Sequence, residues 1–447
     1  MNVTRAGRPS RPARFMLAAF AALSAPVAIT APASATKVAA EIAGRSVDNF
    51  YATHGGRPIW FGSTLSDSSA AIALVELMRS AEVDGLSVDD YPIAALDQAL
   101  RDVDHGNYSS IERADRLFSE ALVRFARDQR RDSTGEMIWV DRNLRPSQSS
   151  PAALLEAFVS ADSQRDFITE IRWMNPIYAG LRKALVGGKH SSEEESLLRV
   201  NLERARVLPV PRGRYVIVNA SAARLTMFDG VRVVDSMKVV VGKPKQATPM
   251  MAALIRYTSL NPYWNVPPDL AAERIAPHVL KEGLSFLDKK GYQVLSSWGE
   301  DAKVVDPATI DWKAVADGRE EIRVRQLPGP DNAMGQMKFM FPNSQGVYLH
   351  DTPQKELLAE ASRMFSGGCV RLEDAPRLAR WLYGRSLEPA GAAPEQHVDL
   401  KDTIPVFITY LTAIPENGKV AFYPDVYGRD EQVLAKLGGT SALAGRH

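Results

Sequence analysis

Cysteine occurs once in 447 residues, at Cys369. That scarcity excludes an internal disulfide and the cysteine-rich structural zinc sites. No His-Glu-x-x-His stretch occurs, and His54 and His278 stand isolated, so no metal is expected. No glycine-rich phosphate loop follows an apolar strand, which argues against nucleotide use and leaves no cofactor expected. Neither sign of charge is in excess: 54 basic and 53 acidic residues give a formal net charge of +1, so nucleic acid is not an expected partner. The apolar run from Phe15 to Ala31 is short for a membrane span of about 20 residues and is broken by Pro26.

What is present describes a soluble chain of two or more domains, with 45% apolar and 24% charged residues. Residues 1–35 stand apart. Arg5, Arg8, Arg11 and Arg14 form a basic start without an acid, and Ala33-Ser34-Ala35 fits a small-residue cleavage site. This reads as a secretory signal cut after Ala35, leaving no transmembrane anchor; the competing reading is a retained anchor. With no cysteine near the cut, a lipid anchor is not expected. In an oxidising compartment a lone cysteine is a hazard unless it has a use, and a nucleophile is the economical use.

The window 346–371, GVYLHDTPQKELLAEASRMFSGGCVR, supplies that chemistry. His350 ends a strand-like run, Thr352-Pro353 reads as the start of a helix through Leu357 and Leu358, and Ser366-Gly367-Gly368 leads into Cys369. Imidazole and thiol within reach make a base and a nucleophile. The glycines permit an unusual backbone whose N–H groups, those of Gly368 and Cys369, can form an oxyanion hole. Arg371 adds positive charge that favours a thiolate or holds a substrate carboxylate, and Ser366 or a backbone carbonyl in its loop is expected to orient the imidazole. The opposing reading, a lone buried cysteine acting as a small hydrophobe, fits poorly beside Ser, Gly, Gly and Arg. A papain-type peptidase is disfavoured because there the cysteine comes first, whereas His350 precedes Cys369 by 19 positions.

HDTP followed by SGGCVR resembles the active-site segment of L,D-transpeptidases with the YkuD-type catalytic domain. The blocks VVVGKPKQATP (Val239 to Pro249), NPYWNVPP (Asn261 to Pro268), QLPGPDNAMG (Gln326 to Gly335) and IPVFITYLTA (Ile404 to Ala413) also resemble that family, in family order. Many relatives carry a second histidine where this chain has Gly367, which therefore cannot act as acid or base. The resemblance implies a periplasmic peptidoglycan enzyme. Cys369 would form a thioester with a stem tetrapeptide and pass it to an acceptor amine, which could be another stem peptide, a free D-amino acid or a wall-tethered protein. It also implies acylation by carbapenems. Two alternatives stay open: an L,D-carboxypeptidase with the same Cys/His dyad, and a catalytically silent wall-binding protein. Other cell-wall enzymes are possible partners.

The fold class expected is α+β and multidomain. A helical scaffold domain at 36–205 is predicted from stripes at Ser69 to Ser80 (Ile72, Val75, Leu77-Met78), Glu112 to Arg130, Leu154 to Val159 and Tyr178 to Leu185. The blocks Tyr51 to Phe61 and Asp84 to Tyr91 resemble the scaffold of large periplasmic relatives. The short join from Leu185 to Leu202 leaves no room for the peptidoglycan-binding module that such relatives insert. From Arg214 the period becomes strand-like, predicting a mainly-β catalytic domain at 206–432, a small sandwich or barrel-like pair of sheets. Residues 265–325 are longer than a simple connection, and the resemblance implies a capping lid over the groove there, the alternative being a surface insertion with only a packing role; Trp264, Trp298 and Trp312 would mostly pack it. Asp374 to Tyr383 is a helix closed by Gly384, Ile404 to Leu411 a final strand, and 433–447 a tail.

Overall fold

The computed structural model describes residues 46–61, 68–103, 108–146, 150–210, 212–299 and 301–438. The expected signal segment at 1–35 and the chain beyond 438 lie outside those residues. The N-terminal part is helical, with Ser69–Arg79, Ile93–Val103, Tyr108–Gln129, Pro151–Val159, Gln164–Thr169, Pro176–Gly187 and Ser192–Ala205. Local chemistry sets several starts. Asn175 caps Ile177 ahead of Pro176, Ser163 caps Asp166, and Ser191 forms a reciprocal capping box with Glu194. In Ser69–Arg79 the buried stripe runs through Ala71, Leu74, Val75 and Met78, while Ile72, expected inside, is 45% exposed. Its small alanines set the inward face, which turns Ile72 outward.

Two buried carboxylates tie these helices together. Asp115 accepts the backbone N–H groups of Ile59 (2.9 Å) and Trp60 (2.7 Å). Asp84 accepts from Tyr178 Oη (2.5 Å), Gln129 Nε2 (3.2 Å) and Arg182 Nε (2.9 Å). Breaking such a pair by removing one partner typically costs about 3–5 kcal/mol, because it strands a buried charge.

Residues 185–205 contain the end of one helix and the whole of Ser192–Ala205. That helix is bolted to the far end of the chain. Asn201 and Thr412 exchange two hydrogen bonds of 2.8 Å each, and fully buried Arg204 pairs with Asp430 and with Glu136 (3.0 Å). The chain end therefore departs from expectation. Ile404 to Leu411 is not final: Gln396–Thr409 is followed by the hairpin Ala413–Glu416 and Lys419–Phe422 and by the helix Asp430–Lys436. Val433 and Leu434, expected in a tail, are buried against Val200. The cause is the buried Arg204, which needs the carboxylate of Asp430.

The main sheet closes on itself, giving the expected barrel-like form. Its strands run in the order Met251–Leu260, Met337–Met340, Leu349–His350, Val370–Leu372, Arg232–Gly242, Arg224–Asp229, Arg214–Asn219 and Gln396–Thr409, which pairs back onto Met251–Leu260. Closure removes free sheet edges and gives a filled interior, in which Leu349, Val370, Leu372, Phe339, Val239 and Val406 are fully buried. Met364–Ser366 adds beside Arg232–Gly242, and Ile138–Trp139, from the helical part, adds in parallel to Met251–Leu260. Helical and sheet parts share one continuous core.

Residues 264–334 build a separate small core on a four-stranded sheet ordered Trp264–Val266, Arg323–Gln326, Tyr292–Leu295 and Val304–Val305. Trp264 and Trp312 are buried there, while Trp298 is 47% exposed. The helix expected after Thr352-Pro353 is only a 3-10 turn, Lys355–Leu358. Thr352 Oγ1 accepts the Gln354 N–H (3.2 Å), and Leu358 alone in that turn is buried, so no apolar stripe sustains a longer helix.

Candidate active site

Two short strands position the candidate catalytic residues. Leu349–His350 pairs in parallel with Val370–Leu372, in the register Leu349 opposite Val370 and His350 opposite Arg371. Side chains alternate between faces along a strand. Leu349 and Val370 fill the barrel, so Tyr348, His350, Cys369 and Arg371 share the other face, with Cys369 diagonal to His350. The 264–334 core covers that face, and Tyr348 packs against it. The Val370 N–H bond to the Tyr348 carbonyl (3.1 Å) locks the ladder beside the thiol.

The loop before Cys369 is held from both ends. Ser366 Oγ donates to the Cys369 carbonyl (2.5 Å) and accepts the Gly368 N–H (3.1 Å). Ser366 therefore shapes the loop and does not touch the imidazole, contrary to the expected role. The Gly368 N–H is likewise engaged by Ser366 and is not free for an oxyanion. Among the described residues the Cys369 N–H has no acceptor. Gly368 sits at φ +114°, a conformation that L side chains rarely adopt.

Thr248, which sequence reasoning did not single out, braces the loop from behind. Its Oγ1 donates to the Gly368 carbonyl (2.9 Å) and accepts the Gly242 N–H (2.8 Å). A Cβ on Gly242 would lie 2.1 Å from the Gln246 carbonyl, so only glycine lets the 243–248 segment fold back. The signal was available, since Gly242 and Thr248 both fall in the VVVGKPKQATP block.

The electrostatics define a neutral resting pair. His350 is 1% exposed, and burial together with neighbouring Arg371 lowers its imidazole to about 3. Its Nδ1 lies 2.5 Å from the backbone carbonyl of Asp351. A carbonyl only accepts, so Nδ1 carries the proton and Nε2 keeps its lone pair, as a base requires. Asp351, outside the cysteine loop, is thus the orienting group. Burial pushes the Cys369 thiol up to about 11, against smaller lowering contributions from the Tyr348 backbone N–H and from Arg371. The thiol donates to the Gly346 carbonyl at 3.5 Å.

Arg371 is 9% exposed; its Nη1 donates to Gln354 Oε1 (2.6 Å), and its buried Nε has no partner. No carboxylate pairs with it among the described residues. Arg274, from the covering segment, adds a second positive charge nearby and lowers the Arg371 guanidinium beyond the effect of burial. That segment reaches the 243–248 loop through Gln246 Nε2 to Asp269 Oδ2 (2.9 Å) and Lys243 to Glu273 (3.5 Å). Leu270 lies over Gly367, 3.4 Å from where a Cβ would stand. Among the described residues no group of His, Cys, Asp and Glu could hold a metal ion.

Residues 213–408 match the model of the L,D-transpeptidase catalytic domain, YkuD, and residues 45–185 that of the Scaffold domain. Two successive stretches of the chain are thus similar to a Scaffold domain and to the L,D-transpeptidase catalytic domain. A Haemophilus influenzae protein classed by inference as an L,D-transpeptidase is 33% identical over 284 residues, 61% of this chain and 56% of its own length. The match thus spans little more than half of that relative. An L,D-transpeptidase structure from Mycobacterium smegmatis aligns over 44% of this chain and 58% of its own, at 14% identity and TM-score 0.22. The L,D-transpeptidase LdtMt1, solved in complex with imipenem, aligns over 44% and 59% at 13% identity and the same TM-score of 0.22.

Two predictions follow from the geometry. Alkylation of Cys369 by iodoacetamide is expected to climb steadily with pH toward the thiol value of about 11. A rate already level at about pH 5, as for a thiolate–imidazolium pair, contradicts this. Gly367→His sets a ring whose Cβ starts in van der Waals contact with Leu270, 3.4 Å away, so the two positions should couple. A double-mutant cycle with Leu270→Ala should return an interaction energy of about 0.5 kcal/mol or more. Strict additivity in thermal denaturation would show that Leu270 does not cover the loop.

Proposed function

We propose that the chain is a peptidoglycan L,D-transpeptidase working through a Cys369 thioester. The observation that carries this reading is the diagonal placement of Cys369 and His350 on one sheet face, with His350 Nδ1 anchored on the Asp351 carbonyl. Cys369 Sγ attacks the carbonyl joining the L-centre of a diamino acid to the terminal D-amino acid. As the C–S bond forms, His350 Nε2 takes the thiol proton. It then passes that proton to the leaving amine as the C–N bond breaks. The incoming amine reverses the sequence: Nε2 receives its proton while the new amide replaces the thioester, and the thiol is restored. The Cys369 N–H is the remaining oxyanion donor, and such a donor is worth about 3 kcal/mol.

Three further features support the reading. Arg371, with its unpartnered Nε, and Arg274 suit the carboxylates of a stem peptide. Cover by residues 264–334 limits water, which favours an amine acceptor over hydrolysis. The covering contacts at Asp269 and Glu273 involve exposed groups, and exposed pairs are worth about 0–1 kcal/mol each, so the cover can lift for substrate. Residues 265–325 therefore serve as the substrate gate in this reading. No helix among the described residues is long and apolar enough to cross a membrane. The basic, apolar N-terminus supports export to the periplasm.

The test is incubation with purified disaccharide tetrapeptide and mass spectrometry of the products. A dimer lacking one terminal D-alanine is expected, and it should vanish in Cys369→Ala. Tripeptide without dimer would make the enzyme a carboxypeptidase. Unimpaired product formation by Cys369→Ala would refute the nucleophile.

A further inference from the structure

A second built site lies away from the cysteine, where the helical part joins the sheet. A cavity of about 470 Å³ opens between the end of helix Tyr108–Gln129 and the strand Ile138–Trp139. Its walls include Arg130, Arg131, Arg145, Asp128, Asp132 and Trp139. The floor is rigid, because the Ile138 and Val140 N–H groups bond the carbonyls of Met250 (2.9 Å) and Ala252 (3.0 Å).

The acids here are already committed. Asp132 accepts the Gly135 N–H (3.0 Å) and Trp139 Nε1 (3.4 Å). Asp128 accepts from Tyr91 Oη (3.3 Å) and lies 3.6 Å from Arg127 and 4.0 Å from Arg124. The arginines are not matched. Arg130 is 7% exposed; its Nη1 donates to the Trp173 carbonyl (3.3 Å), and its buried Nε has no partner. Arg131 and Arg145 have no carboxylate partner among the described residues. A buried guanidinium donor without an acceptor is costly, and several like charges around one cavity repel. Burial and nearby Arg212 also push the Arg130 guanidinium down to about 10.

We propose that this cavity is an oxyanion-binding site, taking a carboxylate or phosphate on Arg130, Arg131 and Arg145 with the body of the ligand against Trp139. Guanidinium groups suit either anion, because their planar N–H forks match two oxygens at once. One bound oxyanion would offset the repulsion among the three guanidinium groups. The site sits on a strand of the sheet that also carries the cysteine, so a ligand held here is fixed relative to the catalytic groove. It does not depend on the transpeptidase reading.

The test uses the full chain labelled with 5-fluorotryptophan and fluorine NMR, with the Trp139 resonance assigned by its loss in Trp139→Phe. One titration uses a free wall tetrapeptide with its carboxylates intact, a second the same peptide with the carboxylates amidated, and a third inorganic phosphate. The Trp139 resonance should move saturably with an anionic probe and stay still with the amidated peptide. Movement with the tetrapeptide but not phosphate makes the ligand a peptide carboxylate; movement with phosphate alone makes it a phosphorylated compound. Arg131→Ser with Arg145→Ser, both surface changes, should weaken that binding about ten-fold or more. No saturable movement with either anion, or unchanged affinity in the double variant, overturns the proposal. A Cys369→Ala chain should bind as the parent does, separating this site from the catalytic one.

Discussion

The site depends on one ladder, the parallel pairing of Leu349–His350 with Val370–Leu372. Two residues on one side and three on the other are little backbone, yet their register decides everything outside them. Leu349 and Val370 are held inside the closed sheet, and burying such side chains is worth about 1.5–3 kcal/mol each. Slipping either strand by one residue would turn an imidazole or a guanidinium into that interior. The core therefore fixes the outward pair, which is the candidate dyad.

Burial then sets the resting charge state. Packing strips His350, fully buried, of the solvation that would stabilise its cation, and the same crowding raises the thiol of the half-buried Cys369. Thiol and imidazole rest neutral, and in the proposed reaction charge appears only while a carbonyl is under attack. Arg371 adds to the effect of burial on the imidazole and has a buried donor without a partner, which suits the substrate carboxylate of the proposed reaction. The bracing by Ser366 and Thr248 serves the same end, fixing the Gly368 backbone so that the thiol does not wander.

Much of this was legible in the residues. The switch of period near Arg214 announced the sheet, Asp374 and Gly384 marked both ends of one helix, and the order of His350 and Cys369 pointed to the dyad. What could not be read was contact across long separations. Nothing local says that Asp430 must meet Arg204, so the chain end looked like plain surface. Nor does any pattern reveal that the Asp351 carbonyl orients the imidazole, since every residue carries a carbonyl and only the turn after His350 aims this one. Ser366 misled for a related reason: its hydroxyl is satisfied within its own loop before it can reach the histidine. Thr248 stood in a quoted block, but a loop threonine carries no sign of which distant backbone groups its hydroxyl will join.

The most direct test of the account is the protonation state of His350 in the free protein, read from its ring nitrogens by 15N NMR across the neutral and acidic range. The account predicts a neutral ring with the proton on Nδ1 and a bare Nε2, persisting well below the ordinary value of 6.5 toward about 3. An imidazolium with both nitrogens protonated at about pH 7 would mean that the dyad rests as an ion pair and that burial does not govern the site.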